Sequence, residues 1–454
     1  MASAAEQLAA NINFGAFAKA KELQKRIWFT LGALIAYRLG TFIPIPGINS
    51  DAFRAAFEAQ ASGILGMFNT FSGGAVANMA IFALNVMPYI SASIIIQLLA
   101  ATSPSLERLK KEGEAGRKQL NQYTRYLTVV LAIFQSYGIA IGLQGTQANG
   151  VPVVNDPGLM FLASTVITLT GGTMLLMWIG EQITARGVGN GISLIIFAGI
   201  VAGAPTAIYQ LLALGRERTL ELYEIALILG LIGVVTVFIV FMERSLRRLV
   251  IQYPKRQVGN RMFMGDSSFL PMKLNTAGVI PAIFASSLLL LPTTVIQFVG
   301  QANTTSMPWL QQTAGLLNYG QPLHFALYAV LIVFFCFFYT SIVFNPEETA
   351  DNLRKYGGFL PGIRPGKNTA AYLDYVLTRL TVIGAAYMVL VCVLPEAIFA
   401  QYNVVIMGGT SVLIVVSVTL DTVAQIQSHL VAHQYEGLIK RSKLRGAGVT
   451  GGRK

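Results

Sequence analysis

Residues 222–250 read LYEIALILGLIGVVTVFIVFMERSLRRLV, an apolar run over 222–242 followed at once by Arg244, Arg247 and Arg248. A helix rises 1.5 Å per residue, so about 20 apolar residues cross the ~30 Å hydrocarbon core of a bilayer. Short loops rich in Lys and Arg stay on the cytoplasmic side. The stretch therefore reads as a membrane span that ends in a cytoplasmic loop. The whole chain agrees, because its 454 residues are 54% hydrophobic and only 12% charged, against about 25% charged in soluble proteins. Cys336 and Cys392 both lie in apolar runs, which excludes a disulfide-stapled scaffold and a cysteine-rich metal protein.

Working outward, similar runs fall at 27–43, 76–100, 123–143, 159–179 and 188–214 before this stretch, and at 276–299, 323–344, 376–395 and 404–424 after it. Together they make ten spans, and only helices suit runs of this length. The first begins at Ile27 behind the basic segment 19–26, so no early secretory signal is expected. Of 33 Lys and Arg residues, 27 lie in segment 1–26, the loops 101–122, 180–187, 243–275 and 345–372, and the tail 427–454. The intervening loops hold only Arg54, Arg216 and Arg218. Both termini are therefore expected in the cytoplasm. Five spans per half is an odd number, so halves of one fold must be inverted relative to each other. The expected fold is an all-α polytopic membrane protein with ten transmembrane helices in two inverted five-helix halves, 27–214 and 222–426, joined by an external hinge at 215–221.

Several segments do not suit a plain bundle. Ser62-Gly-Ile-Leu-Gly-Met-Phe-Asn-Thr-Phe-Ser-Gly-Gly-Ala75 is too short to cross and too apolar for an ordinary external loop. The residues alone leave two readings open: a re-entrant stopper over a cavity, or a surface helix packed on the bundle. Asn85, Pro88, Ser91, Ser93 and Gln97 lie in the second span, and Pro281, Ser286 and Ser287 in the seventh. Small polar residues ordinarily hold membrane helices together, and they also suit an interface that must open.

The spans contain few ionisable groups, and Arg38, Glu181, Asp374 and Asp421 fall near span ends. Proton-driven carriers need buried carboxylates or histidines, so the main rival reading, an inverted-repeat secondary solute transporter, is disfavoured. His324 opens a span, and His429 and His433 lack the glutamate of a zincin helix. Gly187-Val-Gly-Asn-Gly191 has no strand before it, which disfavours a phosphate-cradling loop. No enzyme activity, metal or cofactor is expected.

The loop 243–275 carries Arg244, Arg247, Arg248, Lys255, Arg256, Arg261 and Lys273. Leu249, Ile251 and Tyr253 alternate with period two, and Arg261 and Phe263 are expected on the returning strand. Seven cations exceed what orientation requires, so a docking surface for RNA phosphates or an acidic protein is expected, besides contact with anionic membrane lipids.

Six strings, taken in order, resemble one family: Phe42-Ile-Pro-Ile-Pro-Gly47, Met87-Pro-Tyr-Ile-Ser-Ala-Ser93, Gly180-Glu-Gln-Ile-Thr184, Gly278-Val-Ile-Pro-Ala-Ile-Phe284, Phe344-Asn-Pro-Glu-Glu-Thr-Ala-Asp-Asn352 and Pro361-Gly-Ile-Arg-Pro-Gly366. The chain resembles the bacterial SecY family over about 17–445. The resemblance implies the central subunit of a protein-conducting channel in the bacterial plasma membrane, passing signal-bearing unfolded polypeptides outward or sideways into lipid. It implies an apolar pore ring at Val86, Ile90, Ile192, Ile196, Ile283 and Ile414, and a plug at 62–74 with Ile64, Leu65, Met67, Phe68 and Phe71. It also implies a lateral gate where Ser91 faces Ser286 and Ser287. Implied partners are the SecE and SecG membrane subunits, the SecA ATPase and a translating ribosome. The chain departs from the family in Val86, where the ring usually has Ile, and in Asn85, where Gly is frequent. Arg364, between Ile363 and Pro365, is expected at a turn that holds a forked cation out for docking.

Overall fold

The computed structural model describes residues 20–60, 64–148, 150–216, 221–253, 256–258, 261–263, 267–289, 321–401 and 408–447. Helix α1 spans Lys21–Gly40, and two short helices follow, α2 at Ser50–Gln60 and α3 at Ile64–Phe71. Turns lead through 72–86 to α4, Met87–Thr102. A bend of 103° separates α4 from α5, Pro104–Lys111. Its cause is local: Ser103 is extended ahead of Pro104, as the residue before a proline prefers. Then come α6 at Glu114–Gln144, the small hairpin β1 (Gln147–Ala148) and β2 (Val151–Pro152), α7 at Leu159–Arg186, α8 at Gly191–Arg216 and α9 at Leu222–Arg244.

Four strands follow: β3 at Leu246–Gln252, β4 at Arg256–Val258, β5 at Arg261–Phe263 and β6 at Ser267–Lys273. Helix α10 is Ile280–Leu289. The remaining helices are α11 at Pro322–Val343, α12 at Pro346–Lys355, α13 at Lys367–Gln401 and α14 at Gly409–Ala447.

Among the described residues, seven helical segments are long and apolar enough to span a membrane, or eight if α4 and α5 count as one bent span. They are α6, α7, α8, α9, α11 continued by α12, α13 and α14. The expected first span, 27–43, overlaps α1 up to Gly40, and 41–43 lie beyond the helix. The expected second span, 76–100, is corrected, because helix begins only at Met87. Asn85 has a left-handed φ of 50°, which a continuing α-helix cannot accommodate, and Pro88 stands in the first turn of α4, where proline is tolerated. Of the expected seventh span, 276–299, helix covers Ile280–Leu289, and 290–299 lies outside the described residues. Part of the hinge 215–221 does so as well.

In the first half α4 packs on α6, α6 on α7 and α7 on α8. In the second, α11 packs on α13, and α14 on both α9 and α13. The halves meet where α8 lies against α9 and α14, and one apolar core draws side chains from both. The buried hydroxyls Thr128, Ser136 and Thr173 donate to carbonyls four residues back in their own helices, which satisfies them without a partner helix.

The glycine-rich turn between α7 and α8 has a structural role. Val188 N–H donates to Thr30 Oγ1 of α1 at 3.1 Å, and Gly189 N–H to Gln425 Oε1 of α14 at 2.8 Å. Gly191 N–H and Ile192 N–H are taken by Thr184 and Asn190 side chains. With four amides committed, the turn ties both halves together and has no anion cradle to offer.

The basic loop folds differently from expectation. β3 pairs antiparallel with β6, Leu249 opposite Leu270 and Ile251 opposite Ser268. Arg261–Phe263 pairs instead with Arg256–Val258 nearer the tip. Burial sets this register: Leu249, Ile251 and Met272 are buried on one face, and a shift by one residue would turn them to solvent.

Candidate functional site

The six expected ring residues come from four elements. Val86 caps α4 and Ile90 lies one turn in; Ile192 and Ile196 occupy the first turns of α8. Ile283 is on α10, and Ile414 is early in α14. The i, i+4 spacing of the first two pairs puts each pair on one helix face. Val86, Ile90, Ile196 and Ile414 are buried, Ile192 and Ile283 are partly buried, and all six belong to the same apolar core. Branched aliphatic side chains from both halves thus contribute to one apolar core.

Beside this region, the short helix α3 packs against α8. Of Ile64, Leu65, Met67, Phe68 and Phe71, all on α3, the description of side chains covers Phe71, which is buried. Three side chains reach the end of α3 from elsewhere. Asn85 Nδ2 donates to Phe71 O at 2.8 Å, Tyr37 Oη–H to Ser72 O at 3.1 Å, and an Arg38 guanidinium nitrogen to Gly73 O at 2.5 Å. Tyr37 escaped the sequence reading, and Arg38 was read only as a charge near a span end, because nothing local marks an α1 residue as a partner of a carbonyl 35 positions away. Asn85 stood out as a polar residue of the second span and as a departure from the family pattern, with no sign of its partner.

At the expected gate, Ser91, Ser286 and Ser287 are all buried. Ser286 and Ser287 both donate to Ile283 O, at 3.0 and 2.7 Å. The structure brings α4 and α10 together at Met87, whose sulfur lies 3.6 Å from the Ser287 hydroxyl. One contact between α4 and α10 is therefore sulfur-mediated, while Ser286 and Ser287 also bond within their own helix.

Of the expected docking cations, Arg244, Arg247, Arg248 and Arg364 lie on or beside two loops that are joined to each other. Gln252 and Phe359 exchange backbone hydrogen bonds at 2.9 and 3.0 Å, which fastens the hairpin loop to the loop after α12. Leu249, Met272, Ala350 and Leu360 form an apolar underside on Leu373, Val376, Leu377 and Leu380 of α13. Arg244, Arg247 and Arg248 are exposed above it. Arg256 and Arg261 lie on β4 and β5, and Lys255 lies outside the described residues. Arg364 is exposed in a turn where Gly362 and Gly366 have φ of 80° and 107°. Its carbonyl accepts from Thr369 Oγ1 at 3.0 Å, which fixes the turn on the start of α13.

The family model for SecY matches residues 80–423. The chain belongs to the SecY family. Its SecY relatives include the protein translocase subunit SecY of Rickettsia typhi, 54% identical over 426 residues, with 93% of this chain and 97% of the relative covered. The Escherichia coli K12 subunit is 52% identical over 428 residues, covering 94% and 96%. Among solved structures, a SecY channel whose plug domain is described as stabilising the closed state matches with a TM-score of 0.66 at 17% identity, covering 89% of this chain and 92% of that one. Sec61 of the canine ribosome-channel complex matches with a TM-score of 0.60 at 17% identity, covering 89% and 92%. SecY membership carries the channel function and the multi-pass placement in the bacterial plasma membrane, and the solute-transporter rival gains no support.

Proposed function

We propose that this chain forms the pore through which signal-bearing unfolded polypeptides cross the membrane, with the six aliphatic residues as its gasket and α3 as its plug. The observation that carries the reading is the convergence of α4, α8, α10 and α14 on one apolar region built from both halves. A gasket of this kind has no directional bonds to break, so it widens around any chain and closes behind it. Separation of α4 from α10 at the Met87–Ser287 contact opens a path to lipid, where apolar segments partition sideways.

Both termini lie in the cytoplasm in this reading, which puts the basic platform on the same side. The platform then meets the driver, the SecA ATPase or a translating ribosome, and small membrane partners of the SecE and SecG kind join the bundle. The exposed arginines supply forked donors for carboxylate or phosphate, and anionic lipid headgroups compete for the same charges. The Sec61 structure comes from a ribosome complex, which supports ribosome docking here.

Reconstitution into proteoliposomes tests the proposal. Purified channel with SecE, SecG and SecA is expected to import a signal-bearing precursor when ATP is supplied. Saturable uptake of a small solute without precursor transport would overturn it.

A further inference from the structure

The end of α3 is held by an arrangement that an ordinary loop does not need. A helix leaves its last four carbonyls without intrahelical donors. Here Asn69 O and Thr70 O are closed locally, by Gly74 N–H at 3.0 Å and Gly73 N–H at 3.3 Å. The next three carbonyls are closed from outside, Phe71 by Asn85, Ser72 by Tyr37 and Gly73 by Arg38. Ala75 N–H approaches Ser72 O as well, at 3.4 Å. Tyr37 and Asn85 are 0% and 2% exposed, so each of their bonds lies where water cannot replace it.

Asn85 is committed twice over. Its φ of 50° is a conformation that asparagine tolerates better than most residues, and it turns the carboxamide toward Phe71. The Asn85 Oδ1 has no hydrogen-bond partner. Exchanging the amide's oxygen and nitrogen would put two acceptors together, so Phe71 O dictates the orientation. On the other side, α8 comes close at Gly199: a Cβ there would stand 2.6 Å from Phe71 O and 3.1 Å from the Tyr37 hydroxyl. The seat is thus shaped by backbone contact and closed by three donors.

We propose that Tyr37, Arg38 and Asn85 are positioning residues that clamp the C-terminal end of α3, so that the pore opens only when the carbonyls of Phe71, Ser72 and Gly73 are released together. The inference rests on the reading of α3 as the plug. Gly73 and Gly74, with φ of 64° and 89°, supply the joint beyond the clamp. The clamp sets how often the resting channel opens, and leaves the width of the opened pore to the ring.

Tyr37→Phe removes one hydroxyl and keeps the ring that stacks on Phe82. Asn85→Gly removes one amide and keeps the backbone conformation at ease. Both variants are therefore expected to fold, and purified channels in a planar bilayer provide the test. Each substitution should raise resting ion conductance about fivefold, the equilibrium shift of one net hydrogen bond. The double variant should exceed either. Conductance of the channel held open by an arrested signal-bearing precursor should match the parent, which general loosening of the bundle would not produce. A channel lacking Ile64–Phe71 separates the two ideas. If that deletion leaks while both point variants rest like the parent, the clamp is wrong and the plug stands. If the deletion does not leak, the plug reading falls and the clamp with it. An equal rise in resting and opened conductance also overturns the clamp.

Discussion

The aliphatic ring and the seat of α3 lie side by side and are built from opposite chemistry. The ring joins six side chains from both halves through contacts that have no direction. The seat joins three donors to three consecutive carbonyls. Burial of aliphatic surface falls off gradually as side chains part, so the proposed ring would deform around a passing chain. A hydrogen bond is lost when its partners part by about an ångström or its donor angle falls below about 120°, so a clamp is either engaged or released. In the proposed reading one element yields and the other holds.

Breaking the holding element entirely should have the largest effect. Deleting Ile64–Phe71 is expected to raise resting conductance by more than the roughly fivefold change expected of either point variant, because the plug itself is removed and not one of its bonds. An unchanged planar-bilayer current would show that the ring seals alone.

The basic platform sharpens the comparison, since in the proposed reading it docks the driver and has no part in the seal. Arg364→Glu should weaken docking of the driver by about tenfold to hundredfold, the range for loss of a charge-assisted hydrogen bond, with Arg364→Lys intermediate. ATP-driven precursor import by proteoliposomes measures this, and resting conductance should stay at the parent value. Normal import by Arg364→Glu channels would remove that arginine from the docking surface.

Making the yielding element polar tests it from the other side. Ile90 and Ile283 both changed to Asn should wet the ring and raise export of a reporter with a defective signal by about tenfold, a shift of ~1.4 kcal/mol in gating. Export as low as in the parent would mean that these two positions do not line the constriction.

The smallest effect is expected at a polar tie outside both elements. Arg125 grips Glu181 with two bonds at 2.9 and 2.7 Å, on partly exposed side chains between α6 and α7. Such pairs contribute little, so Arg125→Lys should leave resting conductance and import unchanged. A leak from this variant would show that polar ties in general, not those at the seat, keep the pore shut.

Much of the architecture was legible because its cause is local. A bilayer has fixed thickness and no water inside, so each span must satisfy its own backbone and be apolar along its length. The run at 222–242 followed by three arginines meets that test residue by residue, and α9 stands there. The alternation of Leu249 and Ile251 likewise marked a strand. The returning strand was misjudged, because the partner of β3 is chosen by which residues cover the start of α13, a contact between distant segments. The start of the second span was misjudged because the turn at Asn85 depends on a bond to Phe71, 14 residues away.

By itself, the sequence determined that this chain lives in a membrane, how many apolar runs it has, and which loops carry the positive charge. Through its ordered strings it also determined the family. Those properties depend on composition over about twenty neighbouring residues. Only the tertiary structure decided that Val86, Ile90, Ile192, Ile196, Ile283 and Ile414 share one core, and that Tyr37, Arg38 and Asn85 close three adjacent carbonyls. An isoleucine on a membrane helix faces lipid or pore with the same hydropathy, and a tyrosine hydroxyl carries no record of its acceptor. Which face meets which is set by the packing of the two halves, and that packing exists only when the whole chain has folded.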